Sequence, residues 1–165
     1  MPSFSRRRDY KMEDLTLEKA LKIAIAMEEQ SIKLYSNSQD KVVTPGSRQF
    51  LKELVEEEKR HKSNILQAME DPEKIKEIGT LDMPIQDLKI SDVLVETSLS
   101  PEATYQDILI YAAKREKETH DFYISLAKKY RESQVGKMFA SLAQEELKHK
   151  YRLETEYDDV ILWQM

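Results

Sequence analysis

Residues 142–149 read LAQEELKH, placing a glutamate and a histidine three residues apart in a segment with the apolar rhythm of an amphipathic helix. Ala143, Leu142 and Phe139 stand one and two turns before Glu146, and Leu153 stands two turns after it. Glu146 therefore falls inside the apolar stripe of its helix, and His149 at i+3 shares that face. Residues 54–61, LVEEEKRH, repeat the arrangement, with Val55, Leu54 and Leu51 before Glu58, Ile65 beyond it and His61 at i+3.

The two stretches belong to an internal repeat. A shift of 88 positions lays Ala24 on Ala112, Glu28 on Glu116, Tyr35 on Tyr123, Leu54 on Leu142, and His61 on His149, with no gap from residue 24 to 150. Four long helical segments carry it. The first follows Thr16, an N-cap candidate, through residues 17–40. The second opens at TPGS, with Thr44 as the expected cap and Pro45 in the first turn, and runs to about Glu70. The third opens after Ser100 or Thr104 and runs to about Tyr130, and the fourth runs from near Ser133 towards Tyr157. Short links join the first segment to the second and the third to the fourth, so each pair is expected to form an antiparallel hairpin. The hairpins span about 16–70 and 101–157, and a crossover over 71–100 joins them, with a short helical piece expected at PEKIKEI. This is the connectivity of a ferritin-like four-helix bundle. The expected fold class is all-α, with an arm at 1–15 and one bundle over 16–165.

Composition agrees. Three Gly and five Pro in 165 residues leave little material for the turns of an all-β fold, while Glu, Lys, Leu and Ala favour helix. A net charge of −5 argues against a nucleic-acid partner, and Arg6, Arg7 and Arg8 read as a solvated terminal cluster. The chain has no cysteine, which removes disulfides, iron–sulfur clusters and thiol chemistry from its own side chains. No stretch approaches 18 apolar residues and no secretory signal is present, so the expectation is a cytoplasmic protein without membrane contact.

Glu28 and Glu116 also lie within apolar stripes, between Leu21, Ala24, Ile32 and Tyr35 in the first case, and Leu109, Ala112 and Tyr123 in the second. Each helix thus sends one glutamate into the core. Burying even one unpaired carboxylate costs several kcal/mol, on the order of the stability of a small domain. No Lys or Arg shares these faces. Two divalent cations would balance four carboxylates, with His61 and His149 as neutral ligands. Glutamate oxygen with imidazole nitrogen suits iron or manganese. The competing reading keeps the carboxylates protonated or bridged by water, without metal.

One Glu from each of two helices plus Glu-x-x-His from each of the other two is the ligand set of di-iron and di-manganese carboxylate bundles. At these residues the chain resembles the rubrerythrin-like branch of the ferritin-like superfamily. AMEEQSIKLY at 26–35 and KREKETHDFY at 114–123 are similar to its Glu-then-Tyr helices, and the two Glu-x-x-His stretches to its other pair. The resemblance spans roughly residues 16–155. It implies that Glu58 and Glu146 bridge two metal ions. Glu28 with His61 would complete one site, and Glu116 with His149 the other. Tyr35 and Tyr123 match family tyrosines close to the cluster. It further implies two iron ions (manganese or a mixed pair as alternatives), peroxide or dioxygen as oxidant, and a homodimer.

Two departures are visible. Full-length rubrerythrins carry a Cys₄ iron domain, so this cysteine-free chain would draw electrons from a separate donor protein. They also carry an extra glutamate one turn after the third-helix ligand, where Thr119 stands here. The site expected is therefore the symmetric six-ligand type, and non-enzymatic iron binding or storage is the alternative function. His120, at i+4 from Glu116, reads as a polar core residue bonded elsewhere, with contact to the cluster or its ligands as the alternative. Glu29, Glu57 and Glu145 read as solvated neighbours.

Overall fold

A computed structural model describes residues 16–42, 44–71 and 99–165. The N-terminal arm with Arg6, Arg7 and Arg8, and the PEKIKEI piece of the crossover, lie outside the described residues. Among those described, the fold is all-α: α1 (Leu17–Asn37), α2 (Ser47–Glu70), α3 (Tyr105–Lys129) and α4 (Gln134–Gln164), with no strand. A 3₁₀ turn, Ser38–Lys41, extends α1. α1 packs along α2 and α3 along α4, and the two hairpins close on each other as a four-helix bundle. None of these helices is long and apolar enough to cross a membrane.

The caps follow local chemistry. The Thr16 side chain accepts from the Lys19 backbone N–H at 3.2 Å. Thr104 and Asp107 form a reciprocal capping box at the start of α3, which settles the choice against Ser100. Ser133 caps α4 by accepting from the Gly136 N–H. Two expectations change. Thr44 does not cap α2: it turns the chain with Pro45 and Gly46, its carbonyl accepting from the Ser47 N–H at 3.2 Å, and the helix starts at Ser47. α4 also runs on to Gln164, past the expected end near Tyr157, because Val160 continues the buried stripe of Leu153.

The link from α3 to α4 is tight. Glu132 takes a left-handed backbone, φ 67°. Gly136 crosses so close to the Tyr130 carbonyl that a Cβ there would stand 2.0 Å from its oxygen. At the opposite end, Glu156 of α4 accepts from Ser47 Oγ at 2.6 Å and from the Tyr105 hydroxyl at 3.0 Å, tying it to the starts of α2 and α3.

The core divides into two apolar clusters. One gathers Leu21, Ala24 and Met27 of α1, Ile65 of α2, Leu126 of α3, and Phe139 and Leu142 of α4. The other gathers Tyr35, Leu51, Leu54, Leu109, Leu153 and Val160. Each fully buried Leu or Phe in them contributes about 1.5–3 kcal/mol of hydrophobic free energy. The four core glutamates lie along the helices between these clusters, a polar layer with apolar packing on both sides.

Candidate metal centre

The structure brings Glu28, Glu58, His61, Glu116, Glu146 and His149 together. All six are buried, and no glutamate among them is more than 1% exposed. They fall into two groups whose candidate ligand atoms lie within 4.8 Å of one another: Glu28, Glu58, His61 and Glu146, and Glu58, Glu116, Glu146 and His149. Glu58 and Glu146 belong to both.

The two groups are nearly superposable across the repeat. His61 Nδ1 stands 2.8 Å from Glu146 Oε1, 3.5 Å from Glu58 Oε2 and 3.7 Å from Glu28 Oε1. His149 Nδ1 stands 2.7 Å from Glu58 Oε1 and 3.7 Å from Glu116 Oε1 and Glu146 Oε2. Each histidine thus reaches across the bundle to the glutamate beside the other. Their rings stack, centroids 5.5 Å apart and 16° from parallel.

The tyrosines also cross between hairpins. Tyr123 donates its hydroxyl to Glu28 Oε1 at 2.6 Å, and Tyr35 donates to Glu116 Oε1. Burial first, and then the neighbouring carboxylate charges, push both phenols well above their ordinary range, so they stay donors.

Electrostatics in this layer is a contest over protons. Burial, then the Glu58 charge, raises Glu28 to about 8. Burial, then the charges of Glu116, Glu58 and Glu28, raises Glu146 well above the carboxylate range. Burial and the Glu116 charge would also raise Glu58, but protons shared from Glu28 and both imidazoles hold it low. Burial opposes ionisation of Glu116 as well, and hydrogen bonds from Glu146 and His149 outweigh it. Burial alone would lower His61, but hydrogen bonds to Glu146, Glu28 and Glu58 push it up to about 12. His149 is raised for the same reason, against the same burial. Burial thus favours the protonated form of Glu28 and Glu146, and the facing carboxylates favour the charged form of both imidazoles.

Among the described residues, Glu28 Oε2, Glu58 Oε2 and Glu116 Oε2 are buried and accept no hydrogen bond from a donor outside the cluster. A buried acceptor without a donor costs about 1–3 kcal/mol. Such oxygens call for a cation, and six carboxylate and imidazole ligands in two overlapping groups fit a pair of divalent metal ions.

Of the neighbours, Glu57 departs from the sequence reading while Glu29, Glu145 and His120 agree with it. Glu29 is exposed and pairs with Lys62 at 3.1 Å. Glu145 is half-buried and lies 3.5 Å from Lys148. Glu57 is not merely solvated: its Oε2 lies 2.6 Å from His149 Nε2, and Arg152 donates to both its oxygens. Burial opposes its ionisation, but the His149 and Arg152 charges hold it below the carboxylate range. His120 points away from the cluster and pairs with Asp121 Oδ1 at 3.1 Å. Thr119 is buried but donates its hydroxyl to the Arg115 carbonyl at 2.9 Å.

Comparison with known proteins agrees with the resemblance seen in the sequence. Residues 2–69 match the rubrerythrin family model, a span that includes Glu28, Tyr35, Glu58 and His61. No curated protein and no solved structure matches the chain. The first hairpin is thus rubrerythrin-like and the fold is a ferritin-like bundle, while Glu116, Tyr123, Glu146 and His149 enter through the internal repeat.

Proposed function

We propose that this rubrerythrin-like chain is a dinuclear non-haem iron redox protein that reduces peroxide or dioxygen. The observation that carries the reading is the pair of overlapping Glu and His groups, buried and without Lys or Arg inside them. Glu28 and His61 would hold one ion, Glu116 and His149 the other, with Glu58 and Glu146 shared. When bound, a pair of iron ions supplies electrons and Lewis acidity for breaking an O–O bond.

The chain's own residues set the conditions. Glutamates can change between one-oxygen and two-oxygen ligation as the charge they face changes. Tyr35 and Tyr123 donate to Glu116 and Glu28, fixing one oxygen of each carboxylate. The apolar clusters on either side exclude bulk water, which strengthens every electrostatic contact within. Reducing peroxide to two waters takes two electrons and two protons. With no cysteine available for a rubredoxin-type site in this chain, the electrons come from a separate donor protein. A homodimer in the cytoplasm completes the reading, by family analogy.

The test is turnover. Iron-loaded protein supplied with a competent reductant should consume hydrogen peroxide or dioxygen, and the Glu58→Ala/Glu146→Ala variant should not. Uptake of iron without consumption of either oxidant would reject the redox role in favour of metal binding or storage.

A further inference from the structure

The internal repeat is broken beside the cluster, and the break makes the two halves unequal. On one side, Glu57 accepts from His149 Nε2 at 2.6 Å. Arg152 holds Glu57 through Nη1, at 3.1 and 2.9 Å, and reaches Glu53 through Nη2 at 3.1 Å. The guanidinium also lies over the Phe50 ring, 5.5 Å from its centroid. A shift of 88 positions carries Glu53, Glu57 and Arg152 onto Ser141, Glu145 and Asn64. The clamp is therefore lost on the His61 side: Asn64 is too short and uncharged to replace Arg152, and Glu145 turns to Lys148. In its place lies a cavity of about 350 Å³ lined by His61 and the polar Arg60, Ser63, Asn64, Ser141 and Glu145, with Leu142 as its apolar wall. The His61 side chain is 7% exposed, against 1% for His149.

We infer that the two half-sites hold their ions unequally: the Glu57–Arg152 clamp locks the His149 half-site, and the cavity beside His61 is the port through which a divalent ion enters and leaves. This rests on the dinuclear reading above. Glu57 acts as a positioning residue. With Nδ1 turned to the metal, Nε2–H donates to Glu57, which fixes the ring and raises its basicity. An ion held by a ring fixed at both nitrogens leaves only when that whole network opens. Facing the cavity, His61 can swing with less resistance, and Glu145, Ser63, Asn64 and Ser141 offer a hydrated cation oxygen ligands on its way. Arg60, which lines the cavity, and Lys148, 3.5 Å from Glu145, offset the Glu145 charge, so the port is polar rather than acidic.

The test is metal release, read without any turnover. Protein loaded with two Co²⁺ ions is mixed with excess chelator, and the visible absorption of bound cobalt is followed in time. Two phases of equal amplitude are expected. Glu57→Gln should accelerate only the slow phase, by about tenfold or more. Asn64→Arg, which builds the missing half of the clamp opposite Glu145, should slow only the fast one. Release of both ions in one phase that neither variant alters would overturn the inference while leaving the dinuclear site intact. Failure of the protein to hold two ions at all would overturn both.

Discussion

A buried glutamate is stable only when something positive, a proton or a metal ion, takes up its charge. Without metal, this layer favours protons on Glu28, Glu146, His61 and His149. Metal ions must displace them, so loading should release protons, measurable by calorimetry in buffers of differing ionisation enthalpy. The sign for stability follows. Glu28 sits at about 8 in the folded chain against an ordinary 4.5, and His61 at about 12 against 6.5. The folded state therefore binds more protons than the unfolded one over both windows. The metal-free protein should lose stability as pH rises from about 4.5 towards 8 and beyond. Metal affinity should rise over the same interval, so the gain in Tm on loading should be larger at pH 8 than at pH 6. An equal gain at both would contradict proton displacement. Replacing Tyr123 by Phe removes the donor to Glu28 and should cost the metal-free protein about 1–3 kcal/mol in urea unfolding.

At the scale of the element, the sharpest constraint is the entry to α4. A methyl group at Gly136 would collide with the Tyr130 backbone carbonyl, which cannot move aside like a side chain. Gly136→Ala should destabilise by about 1–3 kcal/mol or more, seen as a lower urea midpoint at unchanged slope. The helices themselves were legible in sequence because four apolar stripes of period 3.6 stand between cap residues: Thr16 caps as its side chain foretold, and Thr104 does so as one of two candidates. The ends were less legible. The charged run after Leu153 looks like a solvated tail, although Val160, two turns on, is fully buried. Thr44 looks like a cap, but the Thr44-Pro45-Gly46 turn intervenes before the helix. Glu57 was misread for a related reason: it lies next to Glu58, and its partners His149 and Arg152 come from the other hairpin. The one sequence signal was the failure of the repeat at Arg152 and Asn64.

The whole molecule is two apolar clusters with a charged layer between them, and each part imposes a condition on the other. The clusters keep the layer dry, and the layer destabilises the bundle until its charges are matched. All six candidate ligands were visible in sequence, since each is a charged or titratable residue out of place on an apolar face. What sequence could not supply was the crossing pattern, in which each histidine and tyrosine serves the opposite hairpin. Truncating Leu51, fully buried in the cluster beside the layer, should cost about 2–5 kcal/mol and weaken metal retention along with the fold. The most direct measurement is the metal content of protein purified without chelator, by elemental analysis, beside the Glu58→Ala/Glu146→Ala variant. A dinuclear centre predicts about two iron or manganese ions per chain, lost in the variant. Near-zero metal that anaerobic loading cannot restore would mean that protons or water alone hold these carboxylates, and would contradict the centre itself.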